Sequence, residues 1–271
     1  MQSPSITTST NDRWRALLTG TDPGMPALRR RHRMLPSDPR CKTCNAPFSG
    51  IGGWWMRRTG RGRWEKNPSF CRSCYQVFSD FGVGGAEIEL SLLFADVRGS
   101  TTLGESMTPS AFGGLMNKFY EAAAETLIDH DAVVDKFVGD EVVGLFIPGM
   151  TGSDHARLAI RAAERLITRT ADIGPDGRGL PLGVGVHTGV AYVGLVGLLG
   201  SELQFTALGD AVNTTARLAS LAGAGEILVS MPAGTAAGIS VEGREVRHLT
   251  LKGRAEPVDA VVLAGSDAAS A

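Results

Sequence analysis

The sequence predicts an α+β protein: a ferredoxin-like antiparallel sheet with covering helices, preceded by a small cysteine-rich metal-binding module. Three observations carry that prediction. From Glu87 onward the apolar residues switch between strand and helix periods in the order β-α-β-β-α-β, with additions after it. All four cysteines lie upstream of that region, in two CxxC pairs. The composition, 43% hydrophobic and 20% charged over 271 residues, supports a sizeable core that needs no disulfide staples.

The elements follow in order. Residues 1–40 are a basic, poorly patterned segment with two short helix candidates, Trp14–Leu18 and Leu28–Leu35. The arginine run from Arg29 to Arg33 reads as a solvated helix face rather than a site for acidic lipid or nucleic acid. Residues 41–80 are the four-cysteine module, 81–86 a glycine-rich flexible joint, 87–263 one larger domain and 264–271 a flexible tail. Ile88–Ala95 is a buried strand ending at Asp96. Thr108 and Pro109 supply an N-cap and a first-turn proline. Phe112, Leu115, Met116, Phe119, Ala123 and Leu127 then recur at helical spacing. Ala132–Val138 and Glu141–Ile147 are strands joined by the two-residue turn Gly139–Asp140. Ser153 or Asp154 caps a second helix whose face is Ala156, Ala159, Ile160, Ala163 and Ile167. Leu182–His187 and Val190–Val196 read as a hairpin turning at Thr188–Gly189. Phe205–Leu208 is extended, Gly209–Asp210 opens a helix through Leu221, and Glu226–Ser230, Arg244–Leu251 and Val258–Leu263 are late strands.

Cys41-x2-Cys44 and Cys71-x2-Cys74 stand 26 residues apart. Paired knuckles put four thiolates around one tetrahedral metal, and structural zinc is the expected ion. A rubredoxin-like iron site and two disulfides are the alternatives, the latter disfavoured in the cytosol. Between the knuckles lie Trp54, Trp55, Arg57, Arg58, Arg61, Arg63 and Trp64. Such interleaving can bind single-stranded nucleic acid. In so small a module these side chains are expected instead to supply the scarce core and an interdomain face. Charge divides in the same place: residues 1–86 hold 14 Lys+Arg against 5 Asp+Glu, and residues 87–271 hold 13 against 23. Two modules with different partners, or electrostatic docking of one half on the other, would both produce that split. No run of 18 apolar residues occurs, which argues against a membrane-spanning helix. Met1–Thr10 is polar without an apolar signal-peptide core, so the expected location is the cytoplasm.

Asp96 and Asp140 are 44 residues apart, yet both fall at strand ends. Two close carboxylates repel unless a cation sits between them. Magnesium prefers such oxygens together with substrate phosphates. Asp140 also suits the hairpin turn by itself. Asp96 precedes Arg98-Gly99-Ser100-Thr101-Thr102, a turn whose backbone N–H groups can cradle an anion beside Thr101. Asn213 and Arg217 place an amide and a guanidinium one helical turn apart, suited to a crowded phosphate. His187 and Asp210 read as structural, the first holding the end of a hairpin and the second meeting N–H groups at a helix start.

Three segments together resemble the class III nucleotidyl cyclase catalytic domain: Phe94-Ala95-Asp96-Val97-Arg98-Gly99-Ser100-Thr101, Lys136-Phe137-Val138-Gly139-Asp140-Glu141, and Thr206 through Arg217. The resemblance covers about residues 87–263, with the family's main motifs in order. It implies the class III cyclase fold and a phosphorus–oxygen lyase. ATP would become 3′,5′-cyclic AMP and pyrophosphate as the ribose 3′-hydroxyl attacks the α-phosphorus. Asp96 and Asp140 would hold two Mg²⁺ or Mn²⁺ ions per site. Asn213 would orient the ribose, and Arg217 would stabilise charge on the α-phosphate. Lys252 would reach the terminal phosphates, and Thr101 would contact the substrate from its turn.

Base choice falls to Lys136 and Thr206, a lysine for adenine N1 and a hydroxyl for the amino group. The family often carries Asp where Thr206 stands; the Lys–Thr pair marks an adenylate cyclase subgroup, some of whose members respond to bicarbonate. Guanylate cyclases typically carry Glu in place of Lys136, so ATP is favoured. A guanylate cyclase and a catalytically silent nucleotide-binding interaction protein are the alternatives. Family sites form between two chains, the aspartates from one and Lys136, Thr206, Asn213, Arg217 and Lys252 from the other. A homodimer with two equivalent sites is therefore implied. The cysteine module would stabilise that dimer or receive a regulatory protein, and nucleic acid is not expected as a partner.

Overall fold

Among the described residues, four helices precede the first strand: α1 (Thr8–Thr19), α2 (Met25–Arg33), α3 (Gly50–Arg58) and α4 (Arg72–Phe81). Then follow β1 (Gly84–Val97), α5 (Ser100–Glu105), α6 (Pro109–Asp129), β2 (Val133–Val138) and β3 (Glu141–Phe146). After them come α7 (Pro148–Thr151), α8 (His155–Arg169), β4 (Leu182–Gly197), β5 (Leu203–Leu208) and α9 (Asp210–Leu221). The chain closes with β6 (Glu226–Ser230), α10 (Met231–Ala237), β7 (Val246–Leu249) and β8 (Val258–Ala264). This computed structural model describes residues 8–65, 67–174, 177, 179–197, 203–250 and 256–264.

The strands form one sheet in the order β2-β3-β1-β4-β6-β8-β7, with β5 also paired to β4. The first four strands have the ferredoxin-like arrangement that the sequence predicts. The sheet is mixed rather than wholly antiparallel, because β6 runs parallel to β4. Thr108 caps α6 by accepting from the Ala111 N–H, and Pro109 occupies its first turn, as local sequence requires. Helices α6, α8 and α10 bury one face of the sheet through Phe119, Leu127, Ile160, Ala163 and Ala233.

Several expectations change. The hairpin at Thr188–Gly189 does not exist: β4 runs unbroken, and Thr188 and Gly189 pair with Ser91 and Leu90 of β1. A 14-residue β1 offers a continuous ladder, and that long-range pairing overrides local turn chemistry. His187 is accordingly buried within the strand, its Nδ1 at 2.8 Å from Ser230 Oγ. The glycine-rich joint is shorter than expected, since Gly84 and Gly85 already belong to β1. A Cβ on Gly85 would stand 2.2 Å from the Val193 carbonyl oxygen, so this glycine permits close strand approach rather than flexibility.

Helix α1 of the N-terminal segment is part of the core. Trp14, Leu17 and Leu18 of α1 are buried with Phe70 and Phe78 against Ile88, Leu90, Leu92 and Phe205 on the second face of the sheet. The basic residues dock rather than only solvate. Arg29 donates to the carbonyls of Gly149 and Met150 at 2.7 and 2.8 Å, and Lys42 pairs with Asp131 at 2.8 Å. Arg30, Arg31 and Arg33 stay exposed. Trp54 and Trp55 are exposed as well, which corrects the expectation that they fill a core. Trp64 does stack on Tyr75, with ring centroids 5.5 Å apart. Among the described residues, no helix is long and apolar enough to cross a membrane.

Candidate active site

β1 delivers Asp96 to the point where it pairs with Glu141 of β3 and Gly183 of β4. The β2–β3 turn is Gly139–Asp140, with Gly139 at φ 61°. The Val97 N–H donates to the Asp140 carbonyl at 3.2 Å, which pins this turn to the end of β1. Three carboxyls, Asp96, Asp140 and Glu141, therefore share one strand end. Arg98 is ion-paired with Asp96 and also donates to the Ser220 carbonyl at 2.8 Å. Burial pushes Asp96 up to about 6; Arg98 opposes that, and Asp140 reinforces it. Burial, then Asp96 and Asp140, push Glu141 up to about 7. Asp96 and Asp140 come within hydrogen-bond reach of each other, and such a partly desolvated carboxyl pair offers oxygen donors of the kind a hard divalent cation takes. Gly99, left-handed at φ 68°, turns the chain into α5. Thr101 then lines a hollow of about 590 Å³ together with Asn117, Tyr120, Gly139 and Asp140.

A second cluster forms where β2 meets β5. Val134 pairs with Gly144 and Lys136 with Val143, so Asp135 is an extra residue in a β-bulge. Thr206 Oγ1 donates to Asp135 Oδ2 at 2.9 Å, and Lys136 Nζ stands 3.6 Å from the same oxygen. Two residues 70 apart in sequence thus meet at one carboxylate. Asp135 escaped the sequence reading. Its only signal is a charged pair, Asp135-Lys136, in a strand where side chains should alternate. Arg98 and Glu141 escaped as site residues too, although both lie inside the quoted motifs.

α9 packs Ala211 and Ala219 onto the sheet and leaves Asn213 exposed and Arg217 half-buried. Asp210 lies in its first turn. Among the described residues, no hydrogen bond or ion pair joins Asn213 or Arg217 to Asp96, Asp140, Lys136 or Thr206. Lys252 lies outside the described residues.

The four cysteines are buried, with every Sγ within 4.8 Å of the others. Cys44 and Cys71 Sγ are 3.8 Å apart, the edge of a tetrahedron whose metal–sulfur bonds are about 2.3 Å. The Cys71 N–H donates to Cys41 Sγ at 3.2 Å, the kind of second-layer bond that orients a thiolate ligand. The donor set fits one tetrahedral ion.

Residues 86–263 match the adenylate and guanylate cyclase catalytic domain. The chain belongs to this cyclase family. Domains of the family bind nucleotide, use divalent metals and act as dimers. The cyclase chain is 29% identical over 151 residues to an adenylate cyclase of Anabaena cylindrica, covering 54% of this chain and 30% of that protein. It spans no more than about a third of the curated relatives it matches first. Its fold matches the crystal structure of the guanylyl cyclase Cya2 with TM-score 0.61 and 25% identity, over 66% of this chain and 93% of that one. It matches the adenylyl cyclase CyaB from P. aeruginosa with TM-score 0.59 and 26% identity, over 65% and 94%.

Proposed function

We propose that this cyclase is an adenylate cyclase, converting ATP to 3′,5′-cyclic AMP and pyrophosphate at sites completed between two copies of the chain. The observation that carries this reading is the meeting of Lys136 and Thr206 at Asp135, 3.6 and 2.9 Å from one oxygen. An ammonium donor beside a hydroxyl suits the N1 and 6-amino edge of adenine. Guanine presents a protonated N1 there, which repels a lysine donor.

Asp96 and Asp140 would hold two Mg²⁺ or Mn²⁺ ions through carboxylate oxygens. When bound, those ions lower the pKa of the ribose 3′-hydroxyl and neutralise the polyphosphate. Asn213 orients the ribose through its amide. Arg217 donates to the α-phosphate oxygens as charge accumulates on them. Thr101 and Lys252 contact the phosphates. The O3′–Pα bond forms as the bond from Pα to its bridging oxygen breaks, the hydroxyl proton is released, and pyrophosphate leaves. Exposed Phe137, Val138 and Leu208 flank these polar residues, an apolar rim of the kind a second chain covers. The assay is formation of cyclic nucleotide by purified protein with Mn²⁺ and either ATP or GTP. Cyclic AMP should dominate. Faster cyclic GMP formation would make it a guanylate cyclase, and no product would reduce it to a nucleotide-binding protein.

The four cysteines would hold one structural Zn²⁺, which ties the ends of the module together. Metal analysis should find about one zinc per chain. Iron in its place would overturn the zinc assignment.

A further inference from the structure

Thr206 alone is an ambiguous reader of a purine. A hydroxyl has one donor and two acceptor positions, so it can meet either the 6-amino group of adenine or the 6-carbonyl of guanine. Its surroundings remove the ambiguity. The Thr206 proton is committed to Asp135 Oδ2 at 2.9 Å, which leaves only lone pairs for a base. The bulge in β2 makes that contact possible, because an extra residue lets Asp135 reach β5 while its neighbour Lys136 reaches the same oxygen. Gln204, two residues before Thr206 on β5, also faces this carboxylate.

The Asp135 side chain is 1% exposed, and its Oδ1 is buried without a hydrogen-bond partner among the described residues. Such a group is expensive to bury and is a poor device for stability. Its position behind Thr206 gives it another use. We propose that Asp135 is a specificity-determining positioning residue: it takes the Thr206 proton and thereby commits that hydroxyl to accepting from a 6-amino group. A 6-carbonyl at the same place would meet lone pairs with a carboxylate behind them, in surroundings of low dielectric. Lys136 is held beside the same carboxylate, so one buried group orients both base-reading side chains.

This inference rests on the adenylate cyclase reading, and the experiment separates the two. The 271-residue chain as wild type, Asp135→Leu, Asp135→Asn and Thr206→Ala is assayed for kcat/KM with ATP, GTP and purine riboside triphosphate, which lacks the 6-amino group. Leu has as many side-chain heavy atoms as Asp and cannot accept, so Asp135→Leu removes the interaction at some cost in melting temperature; the ratio between nucleotides, measured on the folded fraction, is unaffected by that cost. The ATP:GTP ratio of Asp135→Leu should fall about tenfold, and its preference for ATP over the purine analogue should shrink with it. Asn keeps a carbonyl acceptor and should retain most of the wild-type ratio. Thr206→Ala should lose as much as Asp135→Leu, and the double variant should lose no more. A purely structural tie between β2 and β5 would instead lower all three nucleotides together. If the wild type prefers ATP and Asp135→Leu keeps its ratio, this inference is wrong and the adenylate cyclase reading stands. If the wild type prefers GTP or forms no cyclic product, both fall.

Discussion

The end of β1 brings Asp96, Asp140 and Glu141 together, with Arg98 ion-paired to Asp96, and the balance at Asp96 and Glu141 is unfavourable to charge. Asp96 is raised from 3.8 to about 6 and Glu141 from 4.5 to about 7, burial being the largest cause of each. A carboxyl raised on folding binds more protons in the native state than in the unfolded chain. Stability is therefore highest at low pH from these groups and declines as pH rises from about 4 through about 7. A divalent cation at the carboxylates reverses the sign, because it favours their ionised form. Protein free of Mg²⁺ and Mn²⁺ should melt at lower temperature at pH 8 than at pH 6. Added Mg²⁺ should raise the melting temperature more at pH 8 than at pH 6. Glu141→Gln should flatten the decline. Equal Mg²⁺ effects at both pH values would remove these carboxyls as the binding site.

Between elements, the decisive contact is the seating of α1 and α4 on the second face of the sheet. Trp14 is fully buried, with its ring 5.5 Å from Phe78, 5.4 Å from Phe81 and 6.2 Å from Phe205. Phe78 also stacks on Phe205 at 5.5 Å, and Phe205 is the residue before Thr206. Cys71 is the N-cap of α4, so the cysteine cluster positions the helix that packs on the strand carrying Thr206. Trp14→Ala should cost about 3–5 kcal/mol in urea unfolding, the range for deleting a buried large aromatic. It should also raise KM for ATP through β5. A change below about 1 kcal/mol would mean that α1 only rests on the surface.

Across the whole molecule, the charge split has a structural account. The basic N-terminal part meets the acidic remainder through one ion pair, Lys42 with Asp131, while Arg29 donates to the neutral carbonyls of Gly149 and Met150, so charge pairing accounts for one contact of the split. The proposed dimer adds a second level of assembly. Asp96→Ala and Arg217→Ala homodimers should each be nearly inactive. Random mixing makes half the dimers mixed, and each mixed dimer has one intact site of two, so activity should recover to about a quarter of wild type. No recovery, with mixed dimers verified by differently tagged chains, would exclude a site shared between chains.

What the sequence determined by itself was local or combinatorial. The Thr108 cap, the Gly139–Asp140 turn, the strand ending at Asp96 and the CxxC pairs are all readable from a few neighbouring residues. The ordered motif set was enough for the family, because three separated segments rarely agree by chance. The tertiary structure decided what depends on distant partners. Thr188–Gly189 looks like a turn until β1 supplies a full-length ladder. Trp14 looks like part of a loose basic segment until a sheet face formed 70 residues later buries it. Asp135 looks like one more strand charge until a bulge turns it toward Thr206. Periodicity and capping act within one element, whereas strand register, bulges and burial are set by residues that only folding brings together.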